Sequence, residues 1–290
     1  MLKFRVGYDW VPHFQLKSLS IVSVEIGGPF PEWLQTQKAL AELDLSNCSI
    51  KGTLPQWLHS MNLTHLILFQ NQIDGPIPEL ASSLKYLDLS YNMVNGSIPD
   101  SLCQMKSLVV VEISMNQLSG NLPNCWSSLN SLYVAKMSSN RLSGPIPDSI
   151  GGAYARKYVI WEFATQWIGS HLLALAVLRL RSDRFYGAIP SGYCDLYELK
   201  VMDLSHNDLT GNNPSCLGKL LGMIKGDTIS AGYSNWSRER LAFVLKGRML
   251  EFMKLSTYLV LLDLSSNYLV GEIPSDLTKL AGLLALTKFV

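Results

Sequence analysis

Residues 84–99 read LKYLDLSYNMVNGSIP, and this stretch is one copy of a pattern that runs through the chain. Its general form is L-x-x-L-x-L-x-x-N-x-L-x-G-x-I-P, in which other residues replace some of the fixed ones. Nine segments fit the pattern, namely 16–31, 40–55, 63–78, 84–99, 108–123, 132–147, 175–190, 199–214 and 259–274. Most neighbouring copies are 21 to 24 residues apart, but intervals of 43 and 60 residues follow the sixth and eighth copies. The chain is therefore a repeat array with two interruptions.

The alternation within L-x-L predicts a short strand whose leucines face one side and whose intervening residues face the other. One coil cannot bury its leucine row alone, but stacked coils cover each other's apolar faces and pair their strands into a parallel sheet. The Asn after each strand both donates and accepts hydrogen bonds where the backbone turns. We therefore predict an α/β-type repeat solenoid, a superhelix with a parallel sheet on its concave face, in which the pattern residues are structural.

The G-x-I-P half of each repeat resembles the plant extracellular form of the leucine-rich repeat. Three further stretches, 10–16 with 33–38, 167–182 and 245–248, resemble plant receptor-like proteins, some of them the receptors for a fungal xylanase. Receptor-like proteins are cell-surface immune receptors with a repeat ectodomain, a membrane anchor and no kinase. The resemblance covers nearly the whole chain. It implies a cell-surface or extracellular location, a protein or peptide ligand and a partner receptor kinase.

The interruptions predict how the chain is organised. We divide it into repeats over 1–147, a degenerate or damaged repeat over 148–174, repeats over 175–214, a non-repeat island over 215–258, and a repeat with the truncated start of another over 259–290. The 43-residue interval holds one repeat plus 19 residues, which is too few for a second regular coil. A damaged coil is therefore favoured there over a functional insertion.

The island is basic, because residues 215–258 hold seven basic and three acidic residues, a net charge of +4. In receptor-like proteins such an island carries a Lys-Gly motif near its end, and Lys246-Gly247 matches that motif. A solvated loop without a partner and a functional insertion both stay open as interpretations. The candidate binding residues of the island are Arg238, Arg240, Lys246 and Arg248.

Four of the five cysteines form two equivalent pairs. Cys103 and Cys125 are 22 residues apart, as are Cys194 and Cys216, and each pair occupies the same positions in two successive coils. Because neighbouring coils lie about 5 Å apart, these positions come within the Cα separation that a disulfide spans. We predict two inter-coil disulfides and an oxidising compartment, with buried free thiols as the alternative. Cys48 fills an Asn slot and is expected to be buried and reduced.

The N-x-S/T sequons predict glycosylation at Asn62, Asn95 and Asn235. Neither end of the chain has a recognisable polar cap, and its first residues lack the apolar stretch of a secretory signal. No apolar run reaches the roughly 18–20 residues of a membrane-spanning helix. We therefore expect an interior fragment of an ectodomain that does not insert into a membrane by itself.

Composition and motifs argue against several functions. The 290 residues carry 24 basic and 23 acidic side chains, and this net charge of +1 gives no reason to expect nucleic acid or an anionic membrane as a partner. An apolar content of 48% excludes intrinsic disorder. The five histidines are dispersed, and the sequence contains no nucleophile elbow, phosphate loop or dinucleotide motif. We predict no catalysis, no metal and no cofactor.

The outward strand positions are the candidate ligand-binding surface. Stacked coils align them into a column that is acidic at Asp44, Asp88 and Glu112 and basic at Lys136 and Arg179. Beside the acidic part lie His65, Phe69, Tyr86 and Tyr91. Aromatic and charged groups on a rigid concave sheet suit a protein or peptide ligand, whereas ordinary solvated strand faces are the alternative interpretation.

We therefore predict a non-enzymatic recognition module, part of a receptor-like protein that binds a microbial protein or peptide elicitor in defence signalling. A second hypothesis is a secreted inhibitor of cell-wall-degrading enzymes, which uses the same repeat; the island speaks against it, because those inhibitors are uninterrupted arrays. A third is an ice-binding surface. It would need a flat, regular array of small polar residues, which the mixed column does not provide.

Overall fold

The computed structural model describes residues 2–4, 10–151, 175–225, 241–245, 248–252 and 260–287. Its strands, in chain order, are β1 (Ser18–Ser20), β2 (Glu42–Asp44), β3 (Lys51–Thr53), β4 (His65–Ile67), β5 (Gln72–Asp74), β6 (Tyr86–Asp88), β7 (Asn95–Gly96), β8 (Val110–Glu112), β9 (Gln117–Asn121), β10 (Val134–Lys136), β11 (Arg141–Pro145), β12 (Val177–Arg179), β13 (Arg184–Gly187), β14 (Val201–Asp203), β15 (Asp208–Asn212), β16 (Leu241–Leu245), β17 (Arg248–Phe252), β18 (Leu261–Asp263), β19 (Tyr268–Val270) and β20 (Ala285–Thr287).

The strands of the L-x-L segments form one parallel sheet along the solenoid. Within the described residues it has ten strands in the order β1-β2-β4-β6-β8-β10-β12-β14-β18-β20. The register is the same throughout, so that Leu66 pairs with Leu87 and Leu87 with Val111. Leu87 and Val111 are fully buried, which confirms the predicted repeat solenoid with its parallel sheet.

An asparagine ladder joins successive coils where the strands end. Nδ2 of Asn92 donates to the carbonyls of Leu68 and Leu89 at 2.9 and 3.0 Å, and its Oδ1 accepts the N–H of Ile73 at 3.0 Å. One side chain thus satisfies backbone groups of two coils that would otherwise be buried without partners. The same arrangement recurs at Asn71, Asn116, Asn207 and Asn267.

The other sides of the coils are built from short helices and a second sheet. Short 3-10 helices follow the Pro position of the repeat, namely Glu32–Thr36, Gln56–Ser60, Asp100–Gln104, Trp126–Ser128, Ser191–Asp195, Ser215–Lys219 and Ser275–Lys279. The α-helical turns are α1 (Asp148–Gly151) and α2 (Leu221–Lys225). The second sheet pairs the segments that lead into the Gly of the pattern, in the order β19-β15-β13-β11-β9-β7, and β3 pairs with β5. No helix among the described residues has the length and hydropathy needed to span a membrane.

Neither interruption breaks the concave sheet. β10 pairs directly with β12 across the 43-residue interval, with Lys136 opposite Arg179. β14 likewise pairs directly with β18 across the 60-residue interval, with Asp203 opposite Asp263. The extra chain in each interval therefore adds no strand to the concave sheet between these neighbours.

The first residues of the predicted island complete a coil. Ser215–Lys219 forms the usual 3-10 helix, and Leu217, Leu220 and Met223 are fully buried. The solenoid packing thus continues to the end of α2. Farther along, β16 and β17 form an antiparallel hairpin. The remaining boundaries of the island and of the damaged repeat stay predictions, because residues 152–174, 226–240, 246–247 and 253–259 lie outside the described residues.

Candidate functional site

Each concave strand presents two outward side chains, and the register aligns them into two columns. The first column contains Ser18, Glu42, His65, Tyr86, Val110, Val134, Val177, Val201 and Leu261. The second column contains Ser20, Asp44, Ile67, Asp88, Glu112, Lys136, Arg179, Asp203 and Asp263. The charged residues named from the sequence thus do lie in one row.

The aspartates of the second column are engaged by their own coils. Oδ1 of Asp88 accepts the N–H of Ser90 at 2.9 Å and its hydroxyl at 2.6 Å. Asp44 makes the same pair of bonds with Ser46. Asp88 is 9% exposed and Asp44 is 7% exposed. These two carboxylates therefore fix the turn after their strands, and the repeated D-L-S in the sequence is the signal for this role.

The charged form of the Asp88 carboxyl group is also disfavoured. Burial is the largest cause, and the charge of the neighbouring Glu112 carboxylate is the second; together they raise the pKa of Asp88 to about 7. The hydrogen bonds from Ser90 act in the opposite direction, because they favour the charged form. A ligand would have to compete with these bonds for a carboxyl group that already lies largely out of water. Asp88 is thus poorly suited to be the main charge contact.

The central charges of the second column pair with each other. Nζ of Lys136 lies 2.9 Å from Oε2 of Glu112, and their side chains are 6% and 13% exposed. Farther along, the Arg179 guanidinium lies 3.4 Å from Oδ2 of Asp203, whose side chain is 1% exposed. These ion pairs neutralise the acidic and basic parts of the column where they meet. Glu112, Lys136 and Arg179 are consequently committed to contacts within the sheet.

The aromatic residues named from the sequence form an accessible patch near the N-terminal end of the sheet. The His65 ring stacks on Tyr86, with ring centroids 6.1 Å apart, and Phe69 meets Tyr91 edge-to-face at 5.3 Å. Tyr91 is 49% exposed, and the other three are half-buried. We call His65, Phe69, Tyr86 and Tyr91 the aromatic patch.

A shallow depression of about 290 Å³ adjoins the aromatic patch. It runs over β1, β2 and β4 and is lined by Ser18, Glu42, Asp44, His65 and Ile67, among others. Ile67 belongs to the outward column that the sequence predicts but was not named as a binding residue, and Glu42 was not named, although its place in the pattern identifies it as outward. Together the patch and depression offer rings, an aliphatic group and hydrogen-bonding groups on one rigid surface.

A different surface follows from β8 onward, and the sequence analysis missed it. Val110, Val134, Val177 and Val201 occupy the first column, yet each is 0% exposed. We call these four residues the valine stripe. Its sequence signal is a valine at the same outward position of four successive coils, where an uncovered sheet face would carry polar residues.

The residues named in the island lie mostly outside the described part of the chain. This applies to Arg238, Arg240 and Lys246, whereas Arg248 is the first residue of β17. The proposed binding role of these four residues therefore stays a prediction. Within the described residues, no group of three metal-ligating side chains occurs.

The cysteines and two of the sequons fit a secreted solenoid. Cys103 is bonded to Cys125 and Cys194 to Cys216, with Cα separations of 5.9 and 5.6 Å. Cys48 is free and buried, and burial raises the pKa of its thiol. The sequon residues Asn62 and Asn95 are exposed and lie away from the concave strands, and Asn235 lies outside the described residues. Glycans on Asn62 and Asn95 would thus leave the aromatic patch open.

Comparison with known proteins supports the repeat assignment. Family models described as Leucine Rich Repeat match residues 39–61, 83–105, 198–220 and 258–280, and a further model described as Leucine Rich repeat matches residues 59–77. Among solved structures, the plant peptide hormone receptor RGFR1 in complex with RGF2 is similar over 71% of this chain and 30% of its own chain, with 31% identity and a TM-score of 0.63.

Curated relatives carry the comparison further. The chain is 33% identical to Receptor-like protein EIX2 of Solanum lycopersicum, over 99% of this chain and 35% of that protein. It is 30% identical to Receptor-like protein 35 of Arabidopsis thaliana, over 92% of this chain and 33% of that protein. The chain thus spans about a third of the length of these relatives. The repeat solenoid, the disulfides and these relatives together show that the chain belongs to the plant leucine-rich repeat receptor-like protein family.

Proposed function

We propose that this chain is a ligand-binding part of a plant cell-surface receptor-like protein, and that it binds a microbial protein or peptide elicitor in defence signalling. The observation that carries the proposal is the aromatic patch with its adjoining depression, an accessible group of rings on two concave strands and the turns that follow them. As a recognition module it would catalyse no reaction, and a membrane anchor and a partner receptor kinase would supply signalling.

The chemistry of the patch supports this proposal. Aromatic side chains supply large contact areas at a small cost in conformational entropy, and they are enriched among the residues that dominate binding energies. The strands beneath them are held by the leucine core and the asparagine ladder, so the surface is organised before a ligand arrives. The structural neighbour at 31% identity is a peptide hormone receptor, which supports a peptide or protein ligand for this chain.

The depression gives the proposed ligand a preferred chemistry. Its exposed Glu42 and the neighbouring serines favour hydrogen-bond donors and positive charge, whereas Ile67 and the rings of the patch favour apolar side chains. A segment that combines apolar or aromatic residues with a Lys or Arg fits both parts. The acidic residues farther along the column contribute less, because Asp88 and Glu112 are already engaged.

The test uses the full chain produced in a secretory host and immobilised for binding measurements. The probes are a purified fungal xylanase and fractionated secreted proteins of fungal and bacterial cultures. The patch variant is Phe69→Ala with Tyr91→Ala, and the control is Tyr186→Ala on β13, because Tyr186 is 55% exposed and Tyr91 is 49% exposed. We expect the control to bind a probe as the parent does and the patch variant to lose about tenfold or more in affinity.

Two results would contradict the proposal. One is equal binding by the parent and the patch variant, which would place recognition elsewhere on the solenoid. The other is the absence of binding by the parent to every probe. Thermal unfolding of each variant accompanies the measurement, so that a loss of fold is not taken for a loss of binding.

A further inference from the structure

We propose that Arg141, Arg181 and Arg184 form a second binding site on the side of the solenoid, and that this site binds an acidic peptide segment of a partner protein. We call these three residues the arginine site. Two of them lie on strands of the second sheet, β11 and β13, and the third precedes β13. The site shares no residue with the aromatic patch or the depression, so the proposal stands whether or not the proposed concave ligand is correct.

The second sheet holds two of these arginines on its outer face. Arg141 begins β11 and Arg184 begins β13, and both are exposed. The next residue of each strand, Leu142 or Phe185, is fully buried. Because side chains alternate along a strand, both arginines point away from the core. The register sets Ser143 opposite Arg184, two residues after Arg141, so the Cα atoms of the two arginines are about 8 Å apart.

The third arginine lies at the turn that leads into β13. Arg181 is half-buried, and its backbone N–H donates to Oγ of the buried Ser138 at 3.2 Å. It precedes Arg184 by three residues, so their Cα atoms are at most about 11 Å apart. The backbone under all three arginines is bonded to neighbouring coils, and the three charges are therefore held close together before a ligand arrives.

No carboxylate in the described part of the chain neutralises these charges. None of the three arginines makes an ion pair with a described residue. In this they differ from Arg179 on the concave sheet, whose guanidinium lies 3.4 Å from Oδ2 of Asp203. The arginine site is therefore a cationic group that an anionic partner can approach without first displacing an internal carboxylate.

Asp183 lies between Arg181 and Arg184 in the sequence but does not offset their charge. It fills the Asn slot, is 9% exposed, and its Oδ1 accepts the backbone N–H groups of Asn140 and Leu142 at 3.2 and 3.1 Å. Burial raises the pKa of Asp183 to about 8, against the lowering effect of these two bonds. At neutral pH its carboxyl group is thus largely protonated and adds little negative charge.

An exposed carboxylate limits the site on one side. Asp208 on β15 is opposite Tyr186, so it stands to Arg184 as Arg184 stands to Arg141. On the other side, Ser119 is opposite Arg141 and is neutral. The outer face therefore changes from neutral to positive and then to negative along the solenoid. A bound anion is expected over the two arginines, where Asp208 would weaken its attraction.

The spacing of the arginines suits an extended acidic peptide. Guanidinium groups pair with carboxylates through two parallel hydrogen bonds, which makes arginine selective for such planar anions. In an extended chain, alternate side chains lie on the same side and are about 7 Å apart, close to the separation of Arg141 and Arg184. A segment with Glu or Asp at alternate positions can therefore place one carboxylate on each of these arginines. Ser119 and Ser143 beside them offer further hydrogen-bonding groups.

The first experiment measures how a fluorescent peptide of alternating Glu and Gly binds to the full chain, by anisotropy at about 20 mM salt, where exposed charges are weakly screened. The site variant is Arg141→Gln with Arg184→Gln. The control is Lys51→Gln with Lys106→Gln, which removes two exposed positive charges elsewhere. We expect the dissociation constant to rise about fivefold or more in the site variant and less than about twofold in the control. Equal changes in both variants, or no binding by the parent, would overturn the proposal.

A second variant tests the site by a gain of binding, which a loss of fold cannot imitate. Asp208→Asn removes the carboxylate beside the site, and we expect it to tighten peptide binding about twofold or more. The control is Asp100→Asn, which removes an exposed carboxylate from a 3-10 helix of another coil. If Asp208→Asn tightens binding no more than Asp100→Asn does, the peptide does not lie along this row and the proposal is wrong.

A third comparison identifies the class of anion. The neutral peptide of alternating Gln and Gly should not bind, because it offers no carboxylate to the guanidinium groups. Heparin is the rival probe, as a sulfated polysaccharide. If Arg141→Gln with Arg184→Gln weakens the binding of heparin but not that of the acidic peptide, the site belongs to a polysaccharide and the proposal is wrong.

Discussion

Oδ1 of Asp183 accepts the backbone N–H of Leu142 at 3.1 Å and so joins the two coils that flank the first interruption. Asn207 fills the same slot one coil later, where its Oδ1 accepts the N–H of Phe185 and its Nδ2 donates to the carbonyl of Leu180. A charged aspartate has no hydrogen-bond donor for the second contact. Its Oδ2 is buried and has no hydrogen-bond partner among the described residues. Burial raises the pKa of Asp183 to about 8, against the lowering effect of the bonds from Leu142 and Asn140.

Asp183→Asn should stabilise the chain, because the amide supplies the missing donor. The raised pKa makes the effect dependent on pH. Below pH 3.8, the ordinary pKa of the group, the contribution of the Asp183 carboxyl group to the unfolding free energy is fully present. This contribution is lost as the pH rises to about 8, because the unfolded chain then releases a proton that the folded chain retains. We expect the gain in unfolding free energy to grow between pH 4 and pH 8 and to reach about 1–3 kcal/mol. Thermal or urea unfolding over this range measures it.

The reverse substitution, Asn207→Asp, is the matched control, and it should destabilise the chain increasingly over the same pH range. A gain from Asp183→Asn that is the same at pH 4 and pH 8 would show that the carboxyl group titrates normally in the folded chain.

Glu112→Gln should destabilise the chain because it removes a carboxylate from a buried ion pair with Lys136. Loss of one partner of such a pair costs about 3 kcal/mol. Glu42→Gln, an exposed change at the first column, should alter the unfolding free energy by less than about 0.5 kcal/mol. Similar small effects of both substitutions in urea unfolding would mean that Lys136 lies in water in solution.

Leu87→Ala should cost about 2–5 kcal/mol, because it leaves a cavity in the core between Leu66 and Val111. Leu87 is 0% exposed, and Tyr91, four residues later, is 49% exposed. Tyr91→Ala is therefore the control, with an expected loss well below that of Leu87→Ala. Comparable unfolding free energies for the two variants would contradict the inward direction of Leu87.

Non-reducing peptide mapping of chain from a secretory host should recover Cys103 linked to Cys125 and Cys194 linked to Cys216, with Cys48 as a free thiol. Replacing Cys194 and Cys216 together by serine should cost about 2–4 kcal/mol, because each bridge closes a loop of 22 residues in the unfolded chain. A linked peptide that contains Cys48 would contradict this pairing.

The sequence by itself determined the coil. The period of two within L-x-L decides which side chains of Tyr86–Asp88 face the core, and the longer period aligns equivalent positions of successive coils. For the same reason the spacing of the cysteines predicted both disulfides. Each of these features depends on one coil and its immediate neighbour, so a repeating sequence contains all the information that it needs.

Only the tertiary structure decided which outward residues are available to a ligand. Asp44 and Val177 both point away from the leucine core, as the sequence predicts, yet both are buried. Asp44 is held by Ser46 of its own coil. Val177 is 0% exposed, although His65 at the same position of its own strand is partly exposed. The direction of a side chain is a local property of the strand, but its exposure depends on everything that packs against that strand, and no periodicity encodes such a contact.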